Sequence, residues 1–163
     1  MSETIVIVGA GHAAGQAAAS LRQKKFAGRI VIIGDEPYIP YQRPPLSKKF
    51  LAGELEEKRL YFKPENFYPD HDIEMRLSTR VATIDRDNKL VQLEDGSKLN
   101  YDKLLLTTGS RVRKLKIPGS DLPGIHYLRN IQDVLEIQND FRDGARLVIV
   151  GAGYIGQIGR AHV

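Results

Sequence analysis

The stretch Thr4-Ile-Val-Ile-Val-Gly-Ala-Gly-His-Ala-Ala-Gly15 decides the fold of this chain. Its four β-branched residues, Ile5 to Val8, form an apolar run that is too short for a helix and typical of a strand buried on both faces. Gly9, Gly11 and Ala14 follow at the spacing G-x-G-x-x-G/A, and a helix-forming segment comes next. A strand, a glycine turn and a helix in this order predict a dinucleotide-binding unit.

Each small residue of the turn has a separate physical role. Gly9 permits the tight passage from strand to helix, and Gly11 leaves room for a pyrophosphate to approach the backbone. Ala14, with Gly15 beside it, lets the helix pack closely on the strand. The free N–H groups and the dipole at the start of the helix would then hold the anion.

A second buried strand is predicted at Arg29-Ile-Val-Ile-Ile-Gly34, parallel to the first if the unit is β-α-β. It ends in Asp35 and Glu36, about 20 positions beyond the glycine turn, where an acidic side chain accepts hydrogen bonds from a ribose. We expect one of these two carboxylates to have that role, and the spacing does not select between them. The fold class is therefore α/β, with a Rossmann-like parallel sheet.

The middle of the chain differs in pattern from the first strands. Pro37–Pro45 is a stiff, proline-rich loop, and Leu46–Gly53 is expected to form a short helix that ends at the glycine. Alternating apolar and polar residues from Val81 to Tyr101, interrupted by two turns, predict an antiparallel meander. The segment Asp102–Gly109 is expected to be another buried strand that ends in small residues, where a ligand could approach.

A second glycine fingerprint lies near the end of the chain. Asn130 is a credible N-cap for a helix over 131–141, and the apolar run Arg146–Val150 then predicts a strand. Gly151-Ala-Gly-Tyr-Ile-Gly156 follows at once. Two fingerprints suggest two dinucleotides, and hydride transfer between a nicotinamide and a flavin is the chemistry that such a pair indicates. Spacing alone leaves open which turn holds which dinucleotide.

Composition narrows the class of protein. The chain has 163 residues and a net charge of +4, with 42% hydrophobic and 27% charged residues, as is ordinary for a soluble globular protein. It has no cysteine, which excludes disulfides, thiolate metal sites and a dithiol redox relay within this chain, and which fits a reducing cytoplasm. We expect no metal site, no signal peptide and no membrane-spanning segment. Dispersed basic residues argue against a nucleic-acid partner.

Four blocks of sequence resemble the FAD-dependent ferredoxin reductases, which include rubredoxin and putidaredoxin reductases and the reductase components of aromatic-ring dioxygenases. The blocks are Val8–Ala13, Gly34–Lys48, Leu106–Gly109 and Val150–Gly156. The most specific part is Arg-Pro-Pro-Leu-Ser-Lys, because simple Rossmann enzymes lack it. The resemblance implies that NADH reduces FAD and that the flavin passes single electrons to a small iron–sulfur protein, a ferredoxin or rubredoxin.

The resemblance also implies roles for individual residues. Lys48 would lie near the reactive edge of the flavin as the catalytic cation, because a fixed positive charge favours the anionic reduced flavin. The residues implied to bind FAD are Gly9, Gly11, His12, Ala13, Ala14, Asp35 or Glu36, Arg43, Lys48, Val81 (adenine, through backbone atoms), Thr108, Gly109 and Arg129. The residues implied to start the NAD(P)H site are Gly151, Gly153, Ile155 and Gly156.

Several alternatives stay open at this stage. Another flavoprotein with two dinucleotide domains, such as an NADH oxidase or a nitrite reductase subunit, would have the same fingerprints. A fragment that binds a nucleotide without turnover would have them too. A glutathione-reductase-like enzyme would need a redox-active cysteine pair, which this chain lacks. A single-domain NAD(P) dehydrogenase would lack the second fingerprint. The sequence does not distinguish NADH from NADPH.

The predicted domains are an N-terminal segment of the FAD-binding domain at 1–114 and the truncated start of an NAD(P)H-binding domain at 115–156. Residues 157–163 are predicted to be a non-native tail, because the family has an apolar helix at this point. The tail can be encoded as CAG ATC GGA AGA GCA CAC GTC, which from its second base matches a common sequencing adapter. We therefore expect a truncated chain that is at best marginally stable, retains flavin weakly or not at all, and does not oxidise NADH.

Overall fold

The structure is a computed structural model that describes residues 3–141, 144–151, 153–154 and 156–157. The chain divides into two compact units. The first unit comprises Met1–Tyr41 and Tyr61–Gly109, and the second comprises Gln42–Leu60 and Ser110–Val163. No helix in the described part of the chain is long and apolar enough to cross a membrane.

The first unit contains every regular strand of the described residues. Its elements, in chain order, are β1 (Thr4–Val8), α1 (His12–Gln23), β2 (Arg29–Ile33), α2 (Phe67–Asp70), β3 (Ile73–Arg76), β4 (Val81–Asp85), β5 (Leu90–Leu93), β6 (Lys98–Asn100) and β7 (Lys103–Leu106). Four strands form a parallel sheet in the order β3-β2-β1-β7. The remaining three form the antiparallel meander β4-β5-β6, as predicted.

Two hydrophobic clusters explain why β1 and β2 are apolar at every position after their first residue. Alternate side chains of a strand point to opposite faces, and here both faces are covered. One set packs against α1 and α2, and its buried members are Ile5, Ile7, Ala14, Ala18, Ile30, Ile32, Tyr68 and Ile73. The other set packs against the meander, and its buried members are Val6, Val8, Val31, Ile33, Val91, Leu93, Leu99 and Tyr101. The first unit is thus a central parallel sheet between a helical layer and a small antiparallel sheet.

The second unit is organised around one well-capped helix, α3 (Ile131–Asp140). The Asn130 side chain accepts a hydrogen bond from the Asp133 backbone N–H, and the Asp133 carboxylate accepts one from the Asn130 N–H, which completes the predicted cap as a capping box. Ile131 and Val134 are buried on the inner face. Gln138 donates to backbone carbonyls of the 42–60 segment.

Three sequence expectations need correction. Leu46–Gly53 does not form a single helix; a 3₁₀ helix spans Pro44–Ser47, because two prolines at its start fix the backbone there, and turns follow. The segment Arg146–Val150 is not a strand in the described residues of the second unit, where its apolar side chains are exposed (Val148 by 83%). A strand needs a neighbour to pair with, and none of the described residues pairs with this one.

The third correction concerns the segment predicted as a buried strand at Asp102–Gly109. The strand forms as β7, but Leu105 and Leu106 are exposed, the latter by 57%. It lies at the edge of the four-stranded sheet and pairs only with β1 among the described strands. Most of the predicted non-native tail, residues 158–163, lies outside the described residues. The predicted domain boundary at residue 114 stays a prediction.

Candidate functional site

The first glycine turn lies at the carboxyl end of β1, where the central sheet places three chain segments side by side. Gly9 has φ +102°, and its N–H donates to the Ile33 carbonyl at the end of β2 (2.7 Å). A Cβ on Gly9 would lie 2.4 Å from the Thr107 carbonyl oxygen, which follows β7. Glycine is required here for both reasons, because side chains disfavour this backbone region and have no space in it.

Thr107 contacts this turn, and its role was not predicted from the sequence. Its N–H donates to the Val8 carbonyl (2.8 Å), and its hydroxyl donates to the carbonyls of Val8 (3.1 Å) and Gly9 (2.9 Å). Thr107 therefore ties the glycine turn to the end of β7. The predicted neighbours Thr108 and Gly109 follow at once, and Thr108 is exposed. The only available signal was that the predicted strand Asp102–Gly109 ends in small residues.

The start of α1 is open for an anion. Gly11 is the N-cap, no side chain caps the helix, and the first turn contains no acidic residue. No atom lies within 4 Å of the position that a Cβ on Gly11 would occupy. His12 and Ala13 are exposed beside it, whereas Ala14 is buried against the sheet. Unpaired N–H groups, a favourable dipole and a missing side chain form a cradle that fits a pyrophosphate.

Gly15 has a different role from the one predicted. We expected it to help α1 approach the strand, but a Cβ here would lie 2.9 Å from Pro40 Cβ and 3.0 Å from Phe62 Cδ1. The absence of a side chain at Gly15 therefore lets Pro40 and Phe62 pack directly on α1. The buried Tyr68 hydroxyl lies close by, without a hydrogen-bond partner among the described residues, and burial raises the pKa of Tyr68 well above its ordinary value.

The two candidate ribose acids differ in their surroundings. Asp35 is exposed, whereas Glu36 is half-buried and its Oε2 accepts a hydrogen bond from the Tyr41 hydroxyl (2.5 Å). The Glu36 carbonyl also accepts from the Ser78 N–H (3.1 Å). This contact brings the 78–81 segment beside the end of β2. Val81 begins β4 at the end of that segment, and an irregularity in pairing with β5 follows it.

The first unit thus assembles most of the predicted FAD residues at one edge. Residues that follow β1, β2 and β7 meet at the carboxyl ends of parallel strands, which is where open α/β sheets bind ligands. The predicted residues brought to this edge are Gly9, Gly11, His12, Ala13, Ala14, Asp35, Glu36, Thr108 and Gly109, with Val81 tied to it through the 78–79 segment.

The predicted cations Arg43, Lys48 and Arg129 belong to the second unit. The Arg43 guanidinium donates to the Arg129 carbonyl (2.7 Å), so two of the three are brought together. Arg129 Nε is buried and has no hydrogen-bond partner among the described residues. The Lys48 ammonium donates to the Pro44 carbonyl (3.2 Å), one turn earlier in the same segment.

The second glycine turn has the backbone features of the first. Gly151 has φ +124°, and no atom lies within 4 Å of a Cβ placed on Gly153. A Cβ on Gly156 would lie 2.4 Å from the Gly151 carbonyl oxygen, and the Gln157 N–H donates to the Gly153 carbonyl (3.2 Å). The predicted contact residue Ile155 lies outside the described residues.

Comparison with known proteins agrees with this geometry. The family model for the pyridine nucleotide-disulphide oxidoreductases matches residues 3–158. Rhodocoxin reductase of Rhodococcus erythropolis is 43% identical over 94% of this chain and 36% of its own length. Rubredoxin-NAD(+) reductase of Pseudomonas putida is 43% identical over 93% of this chain and 40% of its own length. The chain therefore spans about two fifths of these relatives.

Among solved structures, the ferredoxin reductase for the CYP199A2 system of Rhodopseudomonas palustris superposes with a TM-score of 0.91 at 42% identity. That match covers 98% of this chain and 40% of the other. This chain therefore has the fold of the matched part of that reductase.

Proposed function

The chain belongs to the pyridine nucleotide-disulphide oxidoreductase family, although it contains no cysteine, and we propose that its protein is an FAD-dependent NAD(P)H:ferredoxin or rubredoxin reductase. The relatives at 43% identity are named as reductases of this kind. The observation that carries the proposal is the open, uncapped helix start at Gly11 beside Glu36. A merely structural turn has no need of this opening.

The residues of the first unit fit FAD as follows. The N–H groups at the start of α1 would bind the pyrophosphate, and Glu36 or Asp35 would accept hydrogen bonds from the adenosine ribose. The backbone at Val81 would contact the adenine, and Thr108 with Gly109 would line the same edge. When bound, FAD supplies the exchange between two-electron transfer from a nicotinamide and one-electron transfer to an iron–sulfur centre.

Three cations would have roles at the flavin, as in the reductases that the chain resembles. Lys48 is the candidate catalytic residue, since an ammonium held by the Pro44 carbonyl stabilises negative charge that develops beside it. Arg43 and Arg129 would contact phosphate and flavin oxygens, and the buried, unpaired Arg129 Nε is a donor that a ligand acceptor would satisfy. The second glycine turn at Gly151 would bind the NAD(P)H pyrophosphate.

The charge distribution supports an acidic electron-transfer partner. The second unit contains 13 Lys and Arg against 8 Asp and Glu, whereas the first contains 11 against 12. The net positive charge of the chain therefore belongs to the second unit. An excess of positive charge would accelerate association with an acidic iron–sulfur protein, and salt would slow it. The absence of cysteine supports a cytoplasmic location.

A competition experiment tests the cofactor assignment. The turn recognises the pyrophosphate and adenosine half of FAD, so ADP should compete with FAD for the purified chain, and riboflavin should not. Gly11→Val should weaken FAD binding by about a hundredfold or more, because its branched side chain fills the cradle. The fold should survive, because Gly11 has φ −88° and ψ −172°, a backbone region that valine adopts.

Gly153→Val is the matched control. It places the same side chain at the middle glycine of the second turn and should leave FAD affinity unchanged. Equal FAD affinity of Gly11→Val and the unmodified chain, measured by fluorescence titration, would show that the first turn is not the flavin site.

A further inference from the structure

The Thr107 hydroxyl contacts the first glycine turn and has no role in the proposed function. We propose that Thr107 is a positioning residue, whose hydroxyl fixes the Gly9–Ala10 peptide so that the N–H groups at the start of α1 are preformed for a pyrophosphate. The inference rests on the proposed function. It adds a side chain from outside the G-x-G-x-x-G/A pattern to the determinants of affinity for a diphosphate.

The hydroxyl is directed at two successive carbonyls at the carboxyl end of β1. Thr107 Oγ1 lies 3.1 Å from the Val8 carbonyl oxygen and 2.9 Å from the Gly9 carbonyl oxygen. A threonine hydroxyl has one proton to donate, so the two carbonyls share it. The Thr107 N–H also donates to the Val8 carbonyl (2.8 Å), which fixes the backbone from which the side chain projects. The Gly9 carbonyl is therefore held towards the end of β7.

The peptide that follows Gly9 needs such a contact. Gly9 has φ +102°, which glycine adopts readily, but glycine also has the widest choice of other backbone conformations. The carbonyl and the N–H of a trans peptide point in opposite directions, so a flip of the Gly9–Ala10 peptide would exchange them directly before the N-cap Gly11. An anion is stabilised by N–H groups and repelled by carbonyl oxygens. The Thr107 hydroxyl opposes this flip, because the flip would break its bond to the Gly9 carbonyl.

The other side of the turn is held by the end of β2. The Gly9 N–H donates to the Ile33 carbonyl (2.7 Å). A Cβ on Gly34 would lie 2.4 Å from the Ala10 Cβ, so Ala10 packs directly on the Gly34 backbone. Because β1 lies between β2 and β7 in the sheet, the turn is held from both neighbouring strands. A site that is ordered before the ligand arrives loses less conformational entropy on binding.

The test compares ADP with adenosine, which lacks the diphosphate, in NMR titrations of the 163-residue chain. The ratio of the two dissociation constants measures what the diphosphate contributes to binding. The unmodified chain should bind ADP at least about tenfold more tightly than adenosine. In Thr107→Val, which keeps the shape of the side chain, this ratio should fall to about threefold or less, because the N–H groups are no longer preformed. Thr107→Ser keeps the hydroxyl and should keep the ratio of the unmodified chain.

Arg22→Lys is the control, because it weakens hydrogen bonds at the far end of α1 and should lower stability without changing the ratio. If Thr107→Val weakens ADP and adenosine equally, or if Arg22→Lys lowers the ratio as much, Thr107 has a structural role only and the inference is wrong. A ratio as low in Thr107→Ser as in Thr107→Val would show that the hydroxyl is not the positioning group. If the unmodified chain binds neither ligand, or binds ADP no more tightly than adenosine, the proposed function itself fails, and the inference with it.

A second measurement needs neither a ligand nor a variant, so it holds even if Thr107→Val does not fold. Relaxation dispersion of the ¹⁵N-labelled, unmodified chain detects backbone exchange on the microsecond-to-millisecond timescale. A turn fixed by Thr107 should show no such exchange at the N–H groups of Gly9, Ala10 and Gly11. Exchange at these groups would show that the peptide flips in spite of Thr107, and it would overturn the inference.

Discussion

The two glycine turns of this chain have the same local geometry and different surroundings. Gly9 and Gly151 both have positive φ, at +102° and +124°. The middle glycines, Gly11 and Gly153, both leave open space where a Cβ would lie. In both turns the N–H four residues after the middle glycine donates to its carbonyl at 3.2 Å. The G-x-G-x-x-G/A pattern is therefore sufficient to specify this backbone path.

The segments that precede the two turns differ in pairing and in burial. β1 pairs with β2 and β7 and is buried on both faces, whereas Arg146–Val150 forms no strand in the described residues and is exposed. The first turn is consequently held by Ile33 and Thr107 from neighbouring segments, and the second turn makes no such contact in the described residues. The backbone path of a glycine turn is thus specified locally, whereas the contacts that hold the turn in place come from segments distant in sequence.

The largest expected effect is the loss of folding when Gly9 is replaced. Gly9→Ala places a Cβ against the Thr107 carbonyl in a backbone region that alanine avoids, so the free energy of unfolding should fall by more than about 3 kcal/mol. Gly151→Ala meets the backbone strain of a positive φ but no atom of the described residues within 4 Å, so it should cost less, about 1–2 kcal/mol. Urea denaturation followed by circular dichroism measures both free energies of unfolding. Equal losses would show that the neighbouring segments do not make the first turn less tolerant of substitution than the second.

A second effect comes from the far end of α1. The Arg22 guanidinium donates to the carbonyls of Phe26, Gly28, His71 and Asp72 at 2.6–2.9 Å, which joins the helix to the loops before β2 and β3. Arg22→Met should lower the free energy of unfolding by about 2 kcal/mol, because several carbonyls lose a charged donor. Arg22→Lys should lose less stability than Arg22→Met, and no loss in either variant would show that these bonds do not stabilise the first unit.

The smallest expected effect concerns the Thr107 side chain, which contacts the first turn directly. Thr107→Val keeps the shape of the side chain and removes the hydroxyl that bonds the Val8 and Gly9 carbonyls. We expect a loss of about 1 kcal/mol in the free energy of unfolding. Thr108→Val, at the next and exposed position, should change it little. A larger loss at residue 108 than at 107 would mean that Thr107 is not the residue that fixes the turn.

Periodicity and turn chemistry predicted much of the fold. The first strand-turn-helix unit, the second strand, the antiparallel meander and the Asn130 cap are local patterns, and all of them form. The exposure of β7 and the missing strand at Arg146–Val150 were not predictable, because apolar residues specify burial only when a partner covers them. For the same reason the hydrogen bonds of Thr107, which join segments far apart in sequence, were missed.

The candidate site divides in the same way. The glycine spacing identified Gly9 correctly as a position from which a side chain is excluded, and the contact of Gly11 with a pyrophosphate stays a prediction. The sequence left Asp35 and Glu36 as alternative ribose acids, and both stay predictions. The assignments of Arg43, Lys48 and Arg129 came from resemblance to a family, and they stay predictions.

The central claim is that the first glycine turn, and not the second, binds the pyrophosphate of an adenine dinucleotide in this chain. Amide chemical shifts recorded while ADP is added to the ¹⁵N-labelled chain test it most directly. We expect saturable chemical-shift changes at the N–H groups of Gly11, His12 and Ala13, and little change at those of Gly153 and Gln157. Shifts that are absent from the first turn, or equally large at the second, would contradict it.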